Sequence, residues 1–409
     1  MSDMNPISPV SAAVQRRILS RAARGFSLVE LLISVVIGMV ALMFALRLVA
    51  GSEGTQRTEV ASSDSMQNGM MALFSISGDA AQSGFGLNDP IIEGCDTVFS
   101  DTGGYTLAQA ARGSASVSPL APVIIESNGQ NPDSVSFYSG SSMAGTGSLR
   151  VVADYGSGAS LTVDRMPYGF ARGDVIVVAP ENVGSGKCAL AQLSSNASQN
   201  DPTKTQQVQF ATASDLRFNS GSLGVSFSGS ASRLFDLGPG AALSFHRWSV
   251  ANGYLQMSAT DVGGAGAKAA SVADNIVSIK AQYGFDTRAT ASFLPGSGMV
   301  VGQWSSTMID ADGDGTAGGA GDYGRIAAVR LAVVARSKAA DAPGAGGSCR
   351  ATTAFPTVFA SGVGGSAAAA AAPVTVNVAV SGDTRDWRCY RYRVFETIVP
   401  LRNAGWRPS

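Results

Sequence analysis

Hydrophobic and polar positions divide this chain of 409 residues into an apolar N-terminal run, a helical stretch and a long series of short alternating segments. From Phe26 to Ala50 the only charges are Glu30 and Arg47. At about 1.5 Å per residue such a run is long enough to cross the roughly 30 Å hydrocarbon layer of a bilayer. The pattern predicts one spanning helix over 26–50. Beyond it Met66, Met70, Leu73, Phe74 and Ser77 recur at helical spacing, which predicts a continuing amphipathic helix over 51–86. Gly84 and Gly86 supply its stop. The methionines of that stripe are expected to be core contacts.

The rest of the chain reads as strands. Residues 87–240 are Gly/Ser-rich and hold the alternating runs DSVSFYSG, LRVVADY, SLTVDRM, DVIVVAP and QQVQFAT, each bounded by turn residues. They predict an enlarged, inserted antiparallel β subdomain. A second block, 241–409, opens with ALSFHRWSVANGYLQMSA, where Asn252-Gly253 between alternating runs signals a hairpin. The strands IVSIKAQYGFD, RIAAVRLAVVARS, PVTVNVAV and RYRVFETIVP follow. The 14% content of charged residues and the 49 glycines suit such a loop-rich β protein.

A net charge of -1 gives the whole chain no pull on nucleic acid or anionic surfaces. The four cysteines, Cys95, Cys188, Cys349 and Cys389, form no CxxC pair, so they point to disulfides outside the cytosol rather than to zinc. Three pairings are possible; the sequential one, Cys95 with Cys188 and Cys349 with Cys389, is the simplest. Arg16, Arg17, Arg21 and Arg24 precede the apolar run and set its N-terminus on the cytoplasmic side. No small-residue cleavage site follows the run as it would in a secretory signal.

Glu30 inside that run costs on the order of 2.5 to 3.5 kcal/mol near a bilayer centre and less at headgroup depth. Its setting, Gly25-Phe26-Ser27-Leu28-Val29-Glu30, resembles the processing site of type IV prepilins and of the pseudopilins of type II secretion. The resemblance implies a leader over 1–25, a cut between Gly25 and Phe26 by the prepilin peptidase, and methylation of Phe26. Glu30 then becomes an assembly contact, because the new α-amino cation of a neighbouring subunit offsets the desolvation of both charges. The segments AQYGFDT, AVRLAVVARS and FETIVPLRN resemble the C-terminal half of the PilW group of minor pilins, related to the J-type pseudopilins.

Membership of that group implies an α+β, pilin-like fold, with a long N-terminal helix packed on an antiparallel sheet domain. It implies a structural protein and no enzyme, without cofactor. The protein would help to start type IV pilus assembly near the tip, supporting adhesion, twitching motility or DNA uptake. Its partners would be other minor pilins, the major pilin, the prepilin peptidase and the inner-membrane assembly platform. It would sit in the inner membrane by a single pass with a periplasmic C-terminal domain, and then in the pilus. Two rivals are a J-type pseudopilin and a tip module that binds a ligand through 87–240.

Three further patterns carry candidate chemistry. Asp310, Asp312 and Asp314 match the alternating carboxylates that open a calcium loop, but position twelve is Gly321, and Asp322 comes one place late. A solvated acidic turn is the preferred reading and calcium the alternative. His246, the only histidine, is expected to be structural, since a Ser/His/Asp triad would depend wholly on it. Arg385, Arg388, Arg391 and Arg393 interleave with Trp387, Tyr390 and Tyr392, which fits the solvent side of a strand better than a nucleic-acid surface.

Overall fold

A computed structural model describes residues 27–142, 147–196, 206–344, 346–361 and 372–405, with backbone alone for 50–62 and 404–405. A helix runs over Leu28–Gln82, and the chain divides into two compact units between Thr58 and Glu59. In the first unit, Leu28–Val49 is long and apolar enough to cross a membrane, with a mean hydropathy of 2.6, and none of it is buried.

In the second unit the helix packs through one narrow face. Ser65, Gly69, Ala72, Ile76 and Ala80 are buried at the three- and four-residue spacing of a helical stripe. The expected core role of the methionines is corrected here: Met66 and Met70 are 47% and 54% exposed, as is Phe74 at 78%, while Leu73 packs partly against the core. Small side chains hold most of the buried face, with Ile76 the exception, because the helix comes very close to the sheet at Gly69. A Cβ on Gly69 would lie 2.1 Å from Cε2 of Phe395, which leaves no room for a thioether. The helix stops as expected, with Gly84 at φ 81° and its N–H donating to the Tyr138 carbonyl at 2.8 Å. The Asn403 side-chain amide caps the Gln82 and Ser83 carbonyls at 3.1 and 2.9 Å.

Three principal sheets build the β domain. The first takes Gln303–Ser305, Ile276–Phe285, Ile326–Arg336 and Tyr392–Pro400 in that spatial order, all antiparallel. It is covered on both faces. The main core lies on one side, and Val277, Val334, Val358, Phe359, Val376 and Val378 cluster on the other. Its central strands are therefore buried along their length; Ile326–Arg336 is apolar but for its arginines, while Ile276–Phe285 still alternates and buries Ser278, Lys280 and Gln282 on one face. The second sheet orders Ala270–Asp274, Tyr254–Ala259, Ser244–Ala251, Ser134–Ser139 and Val123–Glu126. Its hairpin turns at Asn252-Gly253, both at positive φ (53° and 80°), the conformation that an Asn-Gly pair favours.

The third sheet orders Pro119–Leu120, Cys95–Val98, Cys188–Gln192, Asp174–Pro180, Ser232–Pro239 and Leu149–Arg150. One face of it meets a separate apolar cluster drawn from residues 149–234. Two features differ from the sequence reading. The Cys95–Val98 strand runs parallel to Cys188–Gln192, so the region is not purely antiparallel. Ser134–Ser139 pairs with Ser244–Ala251, so strands from either side of residue 240 share one sheet. Long-range pairing of this kind leaves no mark on local alternation. LRVVADY keeps only Leu149–Arg150 as strand, with isolated bridges at Val151 and Tyr155.

The core also holds an ion pair. Lys280 and Asp133 side chains are 1% and 0% exposed. The ammonium donates to Asp133 and to the carbonyls of Gly129 and Asn131, at 2.8 and 3.0 Å for the latter two, which uses all three of its donors. Asp133 Oδ2 also accepts the Ala281 N–H at 3.1 Å. Burial pushes the Asp133 carboxyl up, and Lys280 pulls in the opposite direction.

Candidate functional site

Glu30 lies in the first turn of the Leu28–Gln82 helix, where its charge complements the positive end of the helix dipole. Along the same apolar segment Leu28, Phe44 and Leu48 are 77%, 66% and 74% exposed. An apolar surface of this extent needs a cover of lipid or of other apolar helices. The expected cleavage and methylation positions, Gly25 and Phe26, lie outside the described residues.

The acidic loop occupies the connection between Gln303–Ser305 and Ile326–Arg336. One oxygen from each of Asp310, Asp312 and Asp314 lies within 4.8 Å of the others. The loop is wound by its own carboxylates: Asp310 accepts the N–H of Gly313 at 2.8 Å and of Gly315 at 3.0 Å, Asp312 Oδ1 that of Asp314, and Asp314 Oδ1 that of Thr316. Gly313 and Gly315 take positive φ (82° and 91°), which the tight winding requires. The sequence reading set Asp322 aside as one place late. A single helical turn, Ala320–Tyr323, carries it back into the loop, where its Oδ1 accepts the Ala311 and Asp312 N–H groups at 2.6 and 3.1 Å. Burial pushes this carboxyl up to about 6; the amides of Ala311 and Asp312 oppose the shift and the Asp312 charge adds to it.

His246 closes a clasp between helix and sheet. Its Nδ1 lies 2.8 Å from Asp79 on the helix and its Nε2 lies 2.8 Å from Asp261, while Trp248 Nε1 donates to the same Asp79 oxygen at 2.7 Å. Burial alone would lower the imidazole pKa, but the hydrogen bonds and charges of Asp261 and Asp79 outweigh it and push it up to about 9. Ser244 Oγ is 3.1 Å from His246 Nε2, a spacing that resembles a nucleophile beside its base. With both ring nitrogens held by carboxylates, the imidazolium has no lone pair to accept the serine proton at neutral pH. Asp79 and Asp261 were not singled out from sequence; the one signal was an acid inside a helical stretch that otherwise buries small apolar residues.

Cys95 joins Cys188 and Cys349 joins Cys389. The first bond ties the paired strands of the third sheet, and the second closes a separation of 40 residues beside the last strand. Near the second bond the arginines find acids and rings. Arg388 pairs with Asp386 and lies 4.5 Å above Trp387; Arg391 pairs with Asp341 at 3.0 Å. Arg336 pairs with Asp383 and covers Tyr390.

A helix that is apolar and exposed at its start, and packed through a small-residue face on an antiparallel β domain further on, defines an α+β protein with one N-terminal anchor segment. Residues 20–46 match the model of the prokaryotic N-terminal methylation motif, and residues 248–403 match that of the type IV pilus-assembly protein W family. No curated protein and no solved structure matches the chain. These two matches support a type IV pilus minor pilin of the PilW family. The apolar helix and the methylation motif fit a pilin anchored in the inner membrane. Neither match includes the separate core of residues 149–234.

Proposed function

We propose that this protein is a structural minor pilin that primes or joins type IV pilus assembly near the tip, after cleavage between Gly25 and Phe26 and methylation of Phe26. The observation that carries the reading is an unburied apolar helical segment, Leu28–Val49, with one acid in the helix's first turn. In a bundle of such helices the Glu30 carboxylate meets the α-amino group of a neighbouring subunit, and each ion supplies the partner that burial requires. The exposed Met66, Met70 and Phe74 stripe gives the later helical turns a surface for further pilin subunits. Two disulfides support a β domain in the oxidising periplasm, and the arginine cluster before Phe26 supports a cytoplasmic N-terminus.

Mass spectrometry of the N-terminal peptide tests the processing, with methylated Phe26 expected. Glu30→Ala should leave membrane insertion intact and remove the protein from sheared pili. Retention of the leader, or normal incorporation of the alanine variant, would refute the proposal.

A further inference from the structure

We propose that the loop from Asp310 to Asp322 is a calcium site whose ligands are Asp310, Asp312, Asp314, the Thr316 carbonyl and Asp322. This goes beyond the pilus role and does not depend on it. The decisive observation lies outside the acidic run. Asp322 is 0% exposed, its Oδ1 is engaged by two backbone N–H groups, and its buried Oδ2 makes no hydrogen bond of normal geometry, the Gly318 amide being the one further donor near the carboxyl. A buried carboxylate oxygen without a partner is costly and calls for a compensating cation. Among the described residues no lysine or arginine pairs with any of the four aspartates. The nearest basic residue in sequence, Arg325, is spent on the Arg288 carbonyl, Thr290 Oγ1 and the Phe293 ring.

The oxygens converge. A Cβ placed on Gly319 would lie 3.1 Å from the Thr316 carbonyl oxygen, 3.2 Å from Asp314 Oδ2 and 3.6 Å from Asp322 Oδ2, so three oxygens from three residues face one point. A Cβ on Gly321 would lie 2.0 Å from Asp312 Oδ2. The two glycines thus keep side chains out of a space lined with oxygen. The Thr316 carbonyl already accepts the Gly319 N–H at 3.0 Å and keeps a second lone pair.

The donor set is all oxygen, four carboxylates and a carbonyl, which selects a hard divalent cation. Opposite ligands of calcium at 2.3–2.6 Å stand about 5 Å apart, and the 4.8 Å limit on the three Asp oxygens falls within that span. Magnesium, at about 2.0–2.1 Å and strictly octahedral, would need a tighter set. In the ordinary calcium loop the seventh position gives a backbone carbonyl and the twelfth a bidentate acid. Thr316 stands at the seventh place counted from Asp310, and the turn Ala320–Tyr323 lets an acid at the thirteenth place do the work of the twelfth. Binding would fasten that turn, whose Tyr323 is fully buried in the main core, to the rest of the loop.

The test uses the full chain in detergent, stripped of metal by chelator and titrated with calcium or magnesium chloride, with calorimetric binding and melting temperature as readouts. The expected result is one calcium per chain, a rise in melting temperature, and a weaker response to magnesium. Asp322→Asn should weaken calcium binding at least tenfold. The metal-free melting temperature of that variant should equal or exceed that of the parent, because the new amide can donate where a charge stood unpaired. A residue with a purely structural role would instead lower it. Asp314→Asn gives a second reading of the same affinity loss if the first variant is poorly made. No calcium response at millimolar concentration overturns the site; an equal response to magnesium overturns the choice of ion. Unchanged affinity in Asp322→Asn overturns its role as ligand.

Discussion

The helix clasp at His246 makes stability fall with rising pH. The imidazole pKa moves from 6.5 in the unfolded chain to about 9 in the folded one. A raised pKa means that protonation favours the folded state, so the contribution is complete below about pH 6.5 and disappears as pH climbs through about 9. At 1.36 kcal/mol per pKa unit the full contribution is about 3 kcal/mol. Linkage leaves about 2.5 kcal/mol of it at pH 7 and about 0.4 kcal/mol at pH 9, a loss of about 2 kcal/mol. The His246 side chain is 13% exposed, so solvent screening takes a modest share of this. Above pH 7 His246 dominates the window, because the chain has one histidine and all four cysteines are in disulfides, whereas between pH 6 and 7 Asp322, pushed up to about 6, adds its own smaller fall. The carboxyl of Asp261 is held below its usual range, by His246 against the opposing effect of burial, and so acts only in acid. Urea unfolding of the full chain in detergent at pH 6, 7, 8 and 9 would measure the slope. His246→Asn should lower stability at pH 7 and flatten the profile. A parent protein equally stable at pH 7 and pH 9, or an asparagine variant with the same slope, would show that the imidazole does not bind its proton more tightly in the fold.

Lys280→Ala should cost about 3–5 kcal/mol, because it strands Asp133 as a buried, unpaired charge; Lys280→Met combined with Asp133→Asn should recover part of that loss in the same unfolding assay. Gly69→Val should cost about 1–3 kcal/mol through its clash with the Phe395 ring. Adding Phe395→Ala to it should give less than the sum of the two single effects; strict additivity in the double-mutant cycle would mean that the helix and the last strand do not meet there.

Local rules settled much of the architecture from the letters alone. An apolar run with so few charges predicts a helix long enough to cross a bilayer, and Leu28–Val49 is such a helix by length and composition. Asn252-Gly253 takes positive φ at both positions because that pair tolerates it best. The long runs at Ile276–Phe285 and Ile326–Arg336 could hardly be anything but buried strands. The methylation motif was legible as well, since it is a contiguous string whose match needs no tertiary contact.

What needed the tertiary structure is what depends on approach between distant segments. Periodicity finds the helix after the apolar segment but does not mark its core face: Met66, Met70 and Phe74 are exposed, and Leu73 packs partly against the core. The close approach of Phe395 requires glycine at position 69 instead. Pairing of Ser134–Ser139 with Ser244–Ala251 joins strands across the expected boundary at 240, and strand alternation carries no information about partners. Asp322 was one position out of phase with a linear motif until one helical turn brought it inward, and His246 was an isolated residue until two acids met it in space. Sequence fixes the hydrophobic period and the turn chemistry, which are properties of neighbours along the chain. Burial and charge pairing are properties of neighbours across it, and only the folded arrangement creates those.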